Sequence, residues 1–552
     1  MHVLRRLAVA LGSGLLLLGG CGEQAVEPEI PSANVRVLAQ GAGISGANGL
    51  HFGPEGLLYV ASVMDSELLV MDPDSGEVRQ RLTARDGVVG PDDVAFSPEG
   101  AFYWTSILTG EVAGFTVEGE RVVAGNVGAG ANPLTFSDDG RLFVAQCFLG
   151  DGLFELDPEG RESPRIVADD LGPGCGLNGM DWGPDGRLYG PRWFRGEVVS
   201  YDVDSGERRL EADGFEVPAA VKFDHEGRLH VLDSGAGEVV RLASGERRTV
   251  VRLAPGLDNL AFGPDGRLFV SSFTDGFVVR VDGDGTVTEL SPGGMAHPGG
   301  VAVVPGAGGE AQVMVGDLHA LRGFDPDSGE ARYVARNIIG VGELGGVGSV
   351  AADGEHLIVT GFNADDVRVW DPRENVVVAR YPDLSAPVSA IRYQGSVVVA
   401  EHGEQRVVSL GGDGETVLAR DLPAPTGLAT DGDRLWVSDR ERGEVLEIAR
   451  SGDAMTPVVV ADGLKAPEGI AVVDDGIVVV EGESGRVLHL TPAGGKSLLA
   501  VVSPGSPPVS EAQPPSGVFN DVAAMGDALF VSGESHRVLY RIDRGASASA
   551  VQ

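Results

Sequence analysis

Basic residues are scarce in this chain: 42 Lys and Arg stand against 81 Asp and Glu, a formal net charge of −39. Nucleic-acid binding needs a basic face that displaces counterions, so that class is excluded. Attraction to anionic lipid headgroups is disfavoured for the same reason. After the first twenty residues no long apolar run occurs, which removes membrane-spanning helices from the body of the chain. Catalytic signatures are also missing. There is no Gly-x-Ser-x-Gly elbow and no His-Glu-x-x-His, and the 10 His are scattered without ligand spacing. Gly494-Gly495-Lys496-Ser497 ends like a phosphate loop, but Leu490 stands where its first Gly is required. Trp370-Asp371 is a lone dipeptide without an upstream Gly-His partner.

What is present is glycine, 83 residues, with 32 Pro and no collagen period. Such a content weakens helix interiors and suits tight turns, so composition points to an all-β protein. Hydrophobic residues at 43% and charged residues at 22% are ordinary for folded protein. The 552 residues allow two to four domains.

The N-terminus reads as an export signal, residues 1–20. Arg5 and Arg6 precede an apolar stretch, residues 7–18, too short to span a membrane. It ends in Leu18-Gly19-Gly20-Cys21, which resembles a bacterial lipobox. The resemblance implies lipidation of Cys21, a polar tether over residues 21–33, and an extracytoplasmic, envelope-anchored body. Gly22 after the Cys favours the outer membrane, by analogy with Gram-negative lipoproteins. The remaining cysteines, Cys147 and Cys175, are expected to lie in adjacent repeats and either pair or stay as two buried thiols.

Self-similarity organises everything after the tether. Asn48-Gly-Leu-His-Phe-Gly-Pro-Glu-Gly-Leu-Leu-Tyr-Val, Asn178-Gly-Met-Asp-Trp-Gly-Pro-Asp-Gly-Arg-Leu-Tyr and Asp258-Asn-Leu-Ala-Phe-Gly-Pro-Asp-Gly-Arg-Leu-Phe-Val are versions of one unit. Equivalent starts fall at Asn48, Asp92, Asn132, Asn178, Ala219 and Asp258, then more weakly at Gly299, Gly348, Ser389, Thr426, Glu468 and Asn520. The period of about 40–45 residues is that of a four-stranded propeller blade. Twelve blades predict two consecutive six-bladed β-propellers, residues 34–283 and 284–544, with a short tail over 545–552. Val35-Arg36-Val37-Leu38 is expected to complete the blade that starts at Asp258. Val287-Thr288-Glu289-Leu290 is expected to complete the one that starts at Asn520. The Asp72-Pro73-Asp74-Ser75-Gly76 and Asp325-Pro326-Asp327-Ser328-Gly329 segments read as turns, since the acidic residue that closes a calcium loop is missing. Residues 503–516, rich in Pro and Ser, read as a long surface loop or insertion.

The residue that opens each blade faces the channel mouth. In the first ring these are Asn48, Asp92, Asn132, Asn178, Ala219 and Asp258. Five oxygen-bearing side chains on one axis suit a hard cation such as Ca²⁺, while Asn and Asp at strand starts also hydrogen-bond backbone. Asn178-Gly179-Met180-Asp181-Trp182, with Asn132, resembles the SMP-30/gluconolactonase/strictosidine-synthase-like propellers. Asp258-Asn259 resembles the Asp-Asn pair of paraoxonase-type lactonases, one blade later. The resemblance implies a calcium-dependent lactonase or esterase-type hydrolase with Asn48, Asp92, Asn132, Asn178 and Asp258 as metal ligands. Asp92 or Asp258 would double as catalytic base, since Ala219 stands where the family carries its own and Asn48 replaces the family's Glu. The other reading is a non-catalytic envelope protein that binds a small molecule, protein or glycan at the channel mouth, with the calcium site kept. Phe148, Arg192, Trp193, Phe194 and Phe273 are expected to form a substrate-facing rim.

In the second ring Pro425-Thr426-Gly427-Leu428 and Trp436-Val437-Ser438-Asp439 resemble NHL and streptogramin-lyase repeats. Glu401, His402, Glu468, Glu481 and Asn520 are its polar candidates, as an acid/base pair or as rim groups in water.

Overall fold

The computed structural model describes residues 34–172, 174–243, 246–305, 309–412, 414–505 and 520–544. The expected signal 1–20, Cys21, the tether 21–33, the tail 545–552 and most of the 503–516 loop lie outside these residues. The described residues form twelve four-stranded antiparallel sheets, six in each of two rings. Their only helices are three short 3₁₀ turns, and none is long and apolar enough to cross a membrane.

Each blade is built by local hairpins. In Gly263-Pro264-Asp265-Gly266 the Gly263 N–H donates to Arg267 O at 2.8 Å, and Gly266 takes φ +81°. That left-handed position is open to Gly at little cost. The second turn class is held by its first carboxylate: Asp72 Oδ1 accepts from Asp74 N–H at 3.1 Å and Ser75 N–H at 3.0 Å. These local hydrogen bonds account for the acidic turns without a cation.

Ring closure differs from the sequence expectation. Strand Val287–Ser291 pairs with Val278–Val281 and completes the blade that starts at Asp258. Strand Val35–Gln40 pairs with Val538–Asp543 and completes the last blade, which begins at Asn520. Residues 42–294 therefore close ring one on themselves, and residues 34–41 join 295–544 in ring two. The reason is local. Asp282 N–H donates to Thr286 O at 2.9 Å, a tight turn that folds Val287–Ser291 straight back on its predecessor. A hairpin across four residues loses far less chain entropy than a partner some 250 residues away.

The cores lie between blades. Tyr59, Leu68 and Val70 of the first blade pack on Val94, Trp104 and Ala113 of the second. In ring one the circle closes where Leu50, Leu58 and Leu69 meet Ala261, Phe269 and Val278. In ring two it closes where Leu38, Phe530 and Leu539 meet Val301, Val313 and Phe324. Each such side chain contributes about 1.5–3 kcal/mol when fully buried.

Hydroxyls on the second strands latch neighbouring blades. Thr105 Oγ1 accepts from Asp93 N–H at 3.1 Å and donates to Asn132 O of the next blade at 2.6 Å. Ser271 does the same between Asn259 N–H and Asn48 O, across the closure of ring one. Thr360 and Ser438 repeat the device in ring two.

Candidate functional site at the mouth of ring one

Asn48, Asp92, Asn132 and Asn178 are buried around the axis of ring one, and Asp258 is partly buried beside them. Ala219 completes the circle without a polar atom on its side chain. Asn48 Oδ1 accepts from Val63 N–H at 3.3 Å, and Asn178 Oδ1 from Gly179 N–H at 3.0 Å. The Asn178 segment departs from strand geometry, because Gly179 takes φ +35° and a Cβ there would sit 2.4 Å from Ala220 Cβ. Only two residues of that first strand, Asp181–Trp182, remain paired.

The carboxylate of Asp92 feels the charge of Asp258 across this ring. Burial, then the charge of Asp258, then that of Asp93, push Asp92 well above the ordinary carboxylate range. Burial and the charge of Asp93 push Asp258 up to about 8. At neutral pH such a pair holds a shared proton or a cation. No group of three or more His, Cys, Asp or Glu is gathered for a metal ion among the described residues. A cation here would therefore rest on two carboxylates and the amide oxygens of Asn48, Asn132 and Asn178. This is an all-oxygen donor set that fits a hard ion better than a soft one.

Below the mouth lies a network in which Asp181 and Asn259 belong to the resembling segments read from the sequence, while Asp93 and Lys222 were not singled out there. Asp93 Oδ2 accepts from Leu134 N–H at 3.2 Å, and Asp93 Oδ1 from Asn259 Nδ2 at 3.3 Å. Lys222 Nζ donates to Met180 O at 2.8 Å. Asp181 Oδ2 accepts from Phe223 N–H at 2.7 Å. Burial raises Asp93 to about 6 against the opposing charge of Lys222. Burial and Lys222 lower His51 to about 4, so it is neutral at physiological pH. One signal was available in the sequence: a lone Lys inside the apolar run Ala219-Ala220-Val221-Lys222-Phe223.

Cys147 and Cys175 form a disulfide with a Cα separation of 4.2 Å, across 28 residues of chain. It ties the end of one blade's second strand to the loop that leads into Asn178. The expected rim is only partly at the surface. Arg192 is buried, donating from Nη1 to Glu197 Oε2 at 2.9 Å and from Nη2 to Leu171 O at 2.9 Å. Trp193 is buried with its ring edge-on to Phe148 at 5.7 Å. Phe194 is exposed, and Phe273 is half-buried against Gly46. Arg192 and Trp193 thus support the loop from within, the guanidinium bonding the Leu171 carbonyl and the half-buried Glu197 carboxylate.

Of the second-ring candidates Glu468 and Asn520 meet, while Glu401 and Glu481 are each engaged within their own blade. Glu401 accepts from Ser385 N–H at 2.8 Å and Arg406 Nε at 2.6 Å. Glu481 accepts from Lys465 N–H at 3.0 Å and from Ser484 Oγ. Both carboxylates anchor the loop that precedes their own blade's first strand, and neither is free for acid/base work. His402 lies near Phe362, ring centroids 6.5 Å apart, and burial lowers its pKa. Glu468 is buried, accepting from Asn520 N–H at 2.8 Å and Arg440 Nε at 3.2 Å. Asn520 itself bridges Glu534 N–H and Ser503 O.

No family model matches the chain, and no curated protein matches it. Among solved structures it is similar to a streptogramin B lyase, at 14% identity and TM-score 0.38, covering 51% of this chain and 93% of that one. A second similar structure is described as the extracellular domain of a hybrid two component system from B. thetaiotaomicron. There the identity is 10% and the TM-score 0.32, over 94% of this chain and 84% of that one. A third is virginiamycin B lyase from Staphylococcus aureus, at 13% identity and TM-score 0.25, over 59% of this chain and 94% of that one.

Proposed function

We propose that this protein is a lipid-anchored, extracytoplasmic double propeller that binds its ligand at the mouth of ring one. There Asn48, Asp92, Asn132, Asn178 and Asp258 hold a calcium ion. The reading rests on the circle of Asn48, Asp92, Asn132, Asn178 and Asp258 at the mouth, where burial and the charge of Asp258 raise Asp92 and burial and the charge of Asp93 raise Asp258. A divalent cation offsets those charges and accepts the flanking amide oxygens. The Cys147–Cys175 disulfide fits an oxidising compartment outside the cytoplasm, in keeping with the signal and lipobox read at the N-terminus. The ligand is a small molecule, a protein or a glycan; the acidity of the chain steers cationic partners toward it.

A second reading, calcium-dependent lactonase-type hydrolysis, is favoured by Asp258. The resemblance gives a ring carboxylate the role of general base, and Asp258 is one of the two ring carboxylates present. It is weakened by Ala219, which leaves empty of function the position where the resembled family keeps its base.

Both readings are tested by thermal unfolding in chelator and then across a calcium titration. At a hundredfold excess over Kd a specific site adds about 2.7 kcal/mol. The rise is expected to saturate and to disappear in Asp258→Asn and Asn178→Ala. An unchanged melting curve would exclude the cation. Lactone turnover that Asp258→Asn abolishes would decide for the hydrolase.

A further inference from the structure

A strand ladder sets five of the six ring-one positions, and Asn178 is the exception. Asn48, Asp92, Asn132, Ala219 and Asp258 are each the second residue of a six-residue first strand. The residue before each is paired with the end of its blade's second strand: Ala47 with Ser62, Pro91 with Ser106, Ala131 with Gln146, Pro218 with Asp233 and Leu257 with Ser272. Asn178 lies outside any strand, and ladder pairing between the first two strands of its blade starts only at Asp181.

Where the others have a ladder, the Asn178 segment has the disulfide. It reaches its blade through residues 169–180, whereas the next two such connections are residues 214–217 and 253–256. Gly172, Gly174, Gly176 and Gly179 stand in this stretch, so its backbone has little conformational preference of its own. Leu171, Leu177 and Met180 are buried in the core around it, but apolar burial is non-directional and does not aim a neighbouring amide. Direction comes from Cys175, whose backbone bridges to that of Cys147 and whose sulfur is bonded to it. Cys147 directly follows Gln146, the residue that clamps Ala131 beside Asn132, and its N–H donates to Gly130 O at 2.8 Å. The bridge thus ties the Asn178 segment to the ladder that holds Asn132.

We propose that the Cys147–Cys175 disulfide is the positioning element of the Asn178 ligand, so that ring one takes calcium at full affinity only when the pair is oxidised. The inference rests on the calcium reading of this ring. In the dithiol state Asn48, Asp92, Asn132 and Asp258 keep their ladders, while the amide of Asn178 is free to turn away. Groups that orient a metal ligand typically set affinity by about 10–100-fold, and the disulfide fills that part without touching the ion. The site is therefore completed in an oxidising compartment and left incomplete in a reducing one.

The test is a calcium titration by isothermal calorimetry on the full chain, run as a double-mutant cycle. Cys147→Ser with Cys175→Ser should weaken binding about 10–100-fold. Asn178→Ala should cost a similar factor in the disulfide-bonded chain and almost nothing in the double-Ser chain, where that ligand is already lost. Asp258→Asn should weaken both chains by the same factor, because its ladder is intact in each. Equal costs of Asn178→Ala in the two backgrounds are the mark of a bridge that only stabilises the fold, and they overturn the proposal. So does calcium affinity that the Cys substitutions leave unchanged. Absence of calcium binding by the disulfide-bonded parent overturns the calcium reading itself, and this inference with it. If the double-Ser chain lacks the circular dichroism of the parent, the cycle is run on oxidised and dithiothreitol-reduced chain. There dithiothreitol closes to its cyclic disulfide, and the two electrons and two protons it gives up convert the bridge to two thiols.

Discussion

Where ring one carries His51, Asp181 and Lys222 on its first, fourth and fifth blades, ring two carries Ala302, Ala429 and Ala471 at the same register. Both rings share the deeper device that holds blades together. Asp93 in ring one accepts from Leu134 N–H of the next blade, and Asp521 in ring two accepts from Val301 N–H at 3.0 Å. Each also lies over a glycine of the preceding blade, Gly49 or Gly469, where a Cβ would come within 2.3 Å of its Oδ1. The scaffold is thus common while the channel lining is not. A buried charge must be paired or neutralised, so ring one spends its channel on a network of carboxylates, Lys222 and amides. Ring two carries only alanines and Ile391 at that register, and a cavity of about 300 Å³ remains between its six innermost strands.

The largest difference to be broken is in closure. Residues 42–294 carry all their own strands and are expected to fold alone, with a cooperative melt. Residues 295–544 lack Val35–Gln40, and with it the burial of Leu38 and Ala39, and are expected to be unfolded or protease-sensitive until residues 34–41 are restored. Circular dichroism and limited proteolysis of the two pieces distinguish them. Equal stability would mean that the borrowed strand is dispensable.

The disulfide sharpens the contrast next. Closing 28 residues of unfolded chain is worth about 3.5 kcal/mol. Reduction, or Cys147→Ser with Cys175→Ser, should lower the melting transition of ring one and leave that of ring two where it was. A shift of both transitions would show that the rings unfold together.

Smallest is a pH effect with a defined sign. Asp258 is held up to about 8 in the fold, so the folded chain binds a proton that the unfolded chain releases at about pH 4. Its contribution is greatest below about pH 4 and is lost as the pH rises through about 8. In chelator, Asp258→Asn should flatten this slope and raise the stability of ring one at pH 8 by roughly 2 kcal/mol. Asp521, raised by burial to about 7, gives ring two a slope of the same sign that ends about one pH unit lower. Calorimetric melts between pH 4 and 9 resolve both; a slope of opposite sign would remove the raised Asp258 carboxyl from the account.

Much of the architecture was legible because each blade repeats the same turn chemistry at nearly constant spacing. The ring residues Asn48, Asp92, Asn132, Asn178 and Asp258 were legible for the same reason, as equivalent positions of a repeat. The residues just inside them were harder to see. Asp93 follows a more conspicuous residue, and Lys222 differs from an ordinary strand cation only in which way the strand faces. Arg192 and Trp193 look like a surface pair in sequence and are buried, because the 3₁₀ turn Trp193–Arg195 directs Trp193 inward and Phe194 outward.

By itself the sequence determined the all-β class, twelve blades and the residues that open them, since alternation and turn chemistry act over a few neighbouring residues. The exception is the third blade of ring two, where Val388 and not Ser389 holds the equivalent position. Only the tertiary structure decided which strand closes which ring. Val35–Gln40 and Val287–Ser291 are both short outer strands with similar patterns, and nothing local to Val35–Gln40 names its partner. The choice came from the tight turn that spends Val287–Ser291 on its own blade. That left the distant edge at Val538–Asp543 as the place where Leu38 could be buried and the unpaired backbone satisfied.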